Sequence, residues 1–173
     1  MSIFDYIQQG GTIMYILLLL NILGFAIMIS KFLVFNKETQ KIEDMTQILH
    51  KKVDHLAENK DKNSILELAK QELNYAVSGM EKGLNTVKII ATISPLLGLL
   101  GTVIGVLIAF KVMSQTGLNN PASFAKGISM ALITTVGGMI VAIPHYIGYN
   151  YLIGMLDRIE IKLEKSLLSK LLK

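Results

Sequence analysis

Three runs of this chain carry no charged residue: Tyr6 to Ser30, Ile89 to Phe110 and Gly127 to Leu156. Each exceeds the roughly 20 residues an α-helix needs to cross about 30 Å of hydrocarbon at about 1.5 Å per residue. The expected fold is therefore an all-α integral membrane protein with three transmembrane helices. Composition agrees, with 51% hydrophobic and only 17% charged residues. The first run reads as a retained helix rather than a cleaved signal. Asp5 is the only charge before it, and no small-x-small site closes it.

Lys and Arg near the membrane set orientation. Ten lysines lie between Lys31 and Lys88, and five Lys/Arg lie from Asp157 onward. The hairpin between the second and third spans has only Lys111 and Lys126. The N-terminus and hairpin are thus expected outside, in the periplasm of a bacterium, with the large loop and tail in the cytoplasm. The expected order is a periplasmic segment (1–11), transmembrane helix one (12–35), a cytoplasmic helical loop (36–87) and helix two (88–111). A periplasmic hairpin (112–126), helix three (127–152) and a cytoplasmic C-terminal helix (153–173) follow.

The soluble parts have helical patterning. Met45, Ile48, Leu49, Val53 and Leu56 recur at helical spacing, and ENKDKNS then breaks the pattern. Ser64 and Glu67 match a capping box that starts a new helix. From there Ile65, Leu68, Ala69, Ala76, Val77, Met80, Leu84 and Val87 make one stripe. With only Gly83 to weaken it, this predicts a single helix continuing into the second span. The stripe needs a partner: the first loop helix, the C-terminal helix or another subunit. In the tail, Leu156, Ile159, Leu163, Leu167 and Leu171 line one face. This favours continuation of the third span into a cytoplasmic bundle over binding to the membrane surface. The opening MSIFDYIQQG is either a short interfacial helix ended by Gly10-Gly11 or a frayed end. Asn120-Pro121 favours a turn in the hairpin, and Ser123 is a candidate cap for the third span.

The spans have small, partly polar strips. Ser94, Gly98, Thr102, Gly105 and Ala109 follow helical spacing, and Gly101 adds a GxxxG with Gly105. Gly127, Ala131, Thr134/Thr135, Gly138 and Ala142 make a matching strip. Close backbone packing alone accounts for the glycines. A single membrane threonine can bond its own i−4 carbonyl. Two strips with a threonine near mid-membrane in each point further, to a polar pathway or a buried partner. Pro95 and Pro144 are expected to kink their helices, freeing the carbonyls of Ala91 and Ile140. His145 reads as an interfacial histidine beside Tyr146 and Tyr149.

Several chemistries are excluded. The spans hold no Asp, Glu, Lys or Arg, so the chain alone is a poor proton carrier. There is no cysteine, and His50, His55 and His145 form no metal-ligand pattern. No paired Asp or Ser/His arrangement suggests an enzyme. The net charge of +4 comes from dispersed residues, not a nucleic-acid patch. Neither a cofactor nor a metal is expected.

The motif SPLLGLLGTVIGV, followed by GISMALITTVGGMIVAIPHYIGYN, resembles the core of the ExbB/TolQ/MotA proton-channel family. The resemblance covers Lys88 to Asn150 and is strongest to ExbB; three spans, rather than four, and no rotor-type charged segment favour ExbB or TolQ over a flagellar stator. It implies a ring, commonly a pentamer, whose second and third helices line a pore. That pore holds single-span partners of the ExbD or TolR type, whose membrane aspartate carries the proton. Thr102 and Thr135, with Thr134 beside it, correspond to the pore threonines, and Pro95 and Pro144 to recurring prolines. Ser94, Gly98, Gly101, Gly105, Ala131, Gly138 and Ala142 would pack the pore helices. The work would reach the outer membrane through TonB or TolA, from an inner-membrane, multi-pass, lipid-embedded complex. Met130 stands where many relatives carry glutamate, so no role for that glutamate is implied here. A TolQ-like role and a non-conducting scaffold are the alternatives, and sodium remains open beside protons.

Overall fold

The computed structural model describes residues 3–56, 61–116 and 121–171. They form α1 (Ile3–Gln9), α2 (Gly11–Gln40), α3 (Ile42–Leu56), α4 (Lys62–Glu81), α5 (Leu84–Thr116) and α6 (Pro121–Leu171). Stretches of α2, α5 and α6 are long and apolar enough to cross a membrane: Gly11–Gln40, Leu84–Gln115 and Phe124–Leu171. The three expected spans are therefore present as helices. The chain divides into two compact units, one of Met1–Ala26 with Thr86–Gly148, the other of Ile27–Asn85 with Tyr149–Lys173.

The second unit is a helical bundle. Its core contains Met28, Phe35, Leu49, Val53, Ala69, Leu73, Leu84, Leu156, Ile159, Leu163 and Leu167. The tail stripe thus packs as expected, apart from Leu171, which is only half-buried. α4 faces both α3 and α6. Lys52 of α3 pairs with Glu72 of α4 at 2.8 Å, and Ala69 and Leu73 line a small crevice with Leu167 and Leu168. On α3 the expected stripe is partly wrong. Ile48 and Leu56 are exposed, while Thr46 is buried, its hydroxyl donating to the Ile42 carbonyl at 2.7 Å. That bond satisfies the hydroxyl locally and lets its methyl group pack.

Two helix boundaries differ from expectation. α4 and α5 are separate helices rather than one. Gly83 lies at φ +91°, a left-handed conformation that glycine alone adopts without steric cost. The Lys31 amine of α2 donates to the Met80 carbonyl at 2.8 Å, giving a donor and a positive charge to the end of α4. At its other end α4 begins at Lys62, with Asp61 as the capping residue. The Ser64 hydroxyl bonds the Asp61 carboxylate and Glu67 is exposed, so the expected capping box is replaced. Much of the ENKDKNS break and Asn120 lie outside the described residues, as does the Ser123 side chain.

The N-terminal decapeptide holds the short helix α1, ended by Gly10 and by Gly11 at φ +62°. In the first unit, Leu17, Ile90 and Val141 form a buried cluster, against which Ile13, Met14, Leu20 and Leu97 pack.

Candidate functional site: the α5–α6 seam

The two small strips meet each other within one chain. A Cβ on Gly138 would lie 2.5 Å from the Ser94 carbonyl oxygen, and one on Gly98 would lie 2.8 Å from that of Thr134. A Cβ on Gly101 would overlap the Thr134 side chain. On Gly105 it would lie 2.9 Å from the Ala131 Cβ, and on Gly127 2.7 Å from the Ala109 Cβ. The order of these pairs makes α5 and α6 antiparallel. Backbones approach this closely only where side chains are absent, and in lipid such contact is a main source of helix association. Ser94, Gly98, Gly101, Gly105, Ala131, Gly138 and Ala142 are all buried. Leu96, Leu99, Val103 and Leu107 point away, exposed.

The threonines divide into two kinds. Thr134 is buried in the seam, its hydroxyl donating to the Ala131 carbonyl at 2.8 Å with the Gly98 carbonyl at 3.3 Å. Thr102 and Thr135 are half-buried, and their hydroxyls hydrogen-bond each other. Around this pair stand the Ala131 carbonyl, 3.2 Å from the Thr102 oxygen, and the Gly98 carbonyl, 3.3 Å from each threonine oxygen. The pair has two hydroxyl protons. One makes the Thr–Thr bond and the other reaches a backbone carbonyl. The oxygens therefore keep lone-pair capacity, and the carbonyl-bound proton can turn toward another acceptor.

The prolines sit inside unbroken helices, Pro95 within α5 and Pro144 within α6. Each has a neighbouring side chain bonded one turn back: the Ser94 hydroxyl to the Ile90 carbonyl, and His145 Nδ1 to the Val141 carbonyl, both at 2.7 Å. His145 does not face outward beside Tyr146. It has no exposed surface, whereas Tyr146 is 64% exposed. Adjacent helical residues point about 100° apart, so placing Tyr146 outward turns His145 toward α2. There its ring meets the Phe25 ring edge-on, centroids 4.9 Å apart, and covers Gly24. Sequence reasoning missed this contact. Its only signals were a lone histidine and a lone glycine in apolar runs. Met130 lines an open cleft of about 470 Å³ with Asp5, Gln8, Gln9, Gly11 and Lys126.

The model of the MotA/TolQ/ExbB proton channel family matches residues 39–165, well over half of the chain. The chain belongs to this family. Among its relatives, a putative biopolymer transport protein ExbB homolog of Methanothermobacter thermautotrophicus is 44% identical over 82 residues, 47% of this chain and 28% of that protein. Biopolymer transport protein exbB1 of Vibrio cholerae is 43% identical over 86 residues, 49% of this chain and 38% of that protein. The Tol-Pal system protein TolQ of Haemophilus influenzae is 34% identical over 88 residues, 51% of this chain and 39% of that protein. The matched stretches thus span well under half of each of these relatives. The family is described as proton channels, not as an enzyme class, and the α5–α6 seam lies within the matched residues.

Proposed function

We propose that this chain is the channel subunit of an ExbB-type motor, in which several copies, five by family resemblance, surround an ExbD-like single-span partner. The complex would sit in the bacterial inner membrane, N-terminus out and C-terminus in. Its expected segments are those drawn from the sequence: spans at 12–35, 88–111 and 127–152, with cytoplasmic segments at 36–87 and 153–173. It would use the proton motive force to energise TonB-dependent transport across the outer membrane.

The observation that carries this reading is the half-buried Thr102–Thr135 pair. A partner aspartate at this level would meet hydroxyls suited to both of its protonation states. Protonated, its O–H donates to a threonine lone pair. Ionised, it accepts from a hydroxyl that turns away from the Gly98 or Ala131 carbonyl. That carbonyl keeps its helical N–H bond, so the exchange is inexpensive. Thr134, bonded within the seam, is the weaker pathway candidate.

The test is proton flux in liposomes containing the chain and its partner. Thr102→Val and Thr135→Val should each lower flux at least about tenfold, a change of about 1.4 kcal/mol in the barrier, with the ring still assembled. Full flux in both variants overturns the site. Flux that follows sodium instead identifies the coupling ion.

The similarity to a TolQ supports a second reading, a Tol-Pal role. Expression in cells lacking ExbB and in cells lacking TolQ separates the two, since only the matching defect should be repaired.

A further inference from the structure

Two contacts between α2 and α6 exchange knobs and holes in opposite directions. In the first, Met14 of α2 lies over Gly137 of α6. A Cβ on Gly137 would sit 2.8 Å from both Sδ and Cε of Met14. Farther along both helices the direction reverses. His145 of α6 lies over Gly24 of α2, where a Cβ would overlap Nε2 and Cδ2 of the imidazole. Between the two contacts, Leu17 and Val141 share the buried cluster with Ile90.

The imidazole is held on several sides. Nδ1 donates to the Val141 carbonyl, the Phe25 ring stands edge-on, and Gly24 closes over Nε2. Nε2 has no hydrogen-bond partner among the described residues. A proton carrier needs a donor or acceptor on each side of its ring, and among the described residues this ring has one on one side only. Its shape fits a packing role.

We infer that α2 and α6 are locked in register by this reciprocal pair and move as one body, with His145 as a locking side chain. One knob in one hole permits sliding with rotation. Two knobs facing opposite ways do not. A shift of one residue, about 1.5 Å along the axis, drives each knob off its glycine, and on α2 it carries the imidazole from Gly24 onto Leu23 or Phe25. The lock rests on the packing of this chain and is independent of the proposed function.

The chain has no cysteine, so nitroxide labels at Leu23→Cys and Ile147→Cys, exposed positions on α2 and α6, report one distance. The measurement uses the full chain in lipid vesicles, diluted with unlabelled chain. The parent should give one narrow distance distribution. Gly24→Ala should broaden it or shift it by about 1.5 Å or more, and His145→Ala added to Gly24→Ala should restore it. Met14→Ala should rescue Gly137→Ala in the same way. Where a glycine variant fails to accumulate in the membrane, recovery of its yield by the second substitution is the equivalent readout. An unchanged distribution in Gly24→Ala, or no rescue by His145→Ala, overturns the lock.

Discussion

The Thr102 and Thr135 hydroxyls are hydrogen-bonded to each other across the seam between α5 and α6, while Thr134, next in sequence, is bonded within that seam. Neighbouring threonines on one helix therefore have different environments. Thr134→Val should remove a buried hydrogen bond, costing about 1 kcal/mol of stability, and leave partner-dependent proton flux near the parent level. Thr135→Val should do the reverse. Thermal unfolding in detergent and liposome flux, measured on the same preparations, check the contrast.

The glycines of the chain should not respond alike to substitution. Gly101→Leu places a side chain where Thr134 already lies, and should destabilise the chain by at least the roughly 1–3 kcal/mol typical of overpacking. Gly79, inside α4, has nothing within 4 Å of an added Cβ. Gly79→Ala should stabilise the helical bundle of the second unit by up to about 1 kcal/mol through helix propensity. Denaturation midpoints of the two variants should move in opposite directions.

The joint between α4 and α5 depends on Gly83 at φ +91°. Gly83→Ala forces a Cβ into a left-handed conformation and should cost about 1–2 kcal/mol. Lys31→Met, which removes the donor to the Met80 carbonyl, should increase amide hydrogen exchange in the last turn of α4. Unchanged exchange there would show that the lysine does not cap the helix.

The start of α4 should be sensitive to acid. The Ser64 hydroxyl beside Asp61 holds its carboxyl below the usual value of 3.8. A carboxyl whose value is lower in the folded chain than in the unfolded chain stabilises the fold above the unfolded value. That contribution is lost as pH falls through the lower, folded value. Ser64→Ala should return the Asp61 titration toward 3.8, visible in a carboxylate NMR titration.

The candidate site was legible in part. Small residues at helical spacing identified both strips of the seam, since a span that gives up apolar bulk must meet another surface closely. The tail stripe was equally clear, because a period of 3.6 residues marks one face of any helix. The α4–α5 break was missed. A glycine within a helical pattern is compatible with either outcome, and contact with α2, through Lys31 and Ile27, accompanies the break here. Ile48 and Thr46 of α3 exchanged their expected environments, because spacing identifies a face but not which edge of it a neighbour covers.

Three membrane-length helices, the small strips within two of them and the lack of any carboxylate in the spans were all readable from the residues alone. These follow from local composition and from the length of hydrocarbon a helix must cross. It took the packed helices to show that the two strips meet each other, that Thr134 is sealed while Thr102 and Thr135 are not, and that His145 fills a glycine hole on α2. Those outcomes depend on the rotation and register of one helix against another. Both are set by side-chain shape across the interface, which periodicity along one chain does not encode.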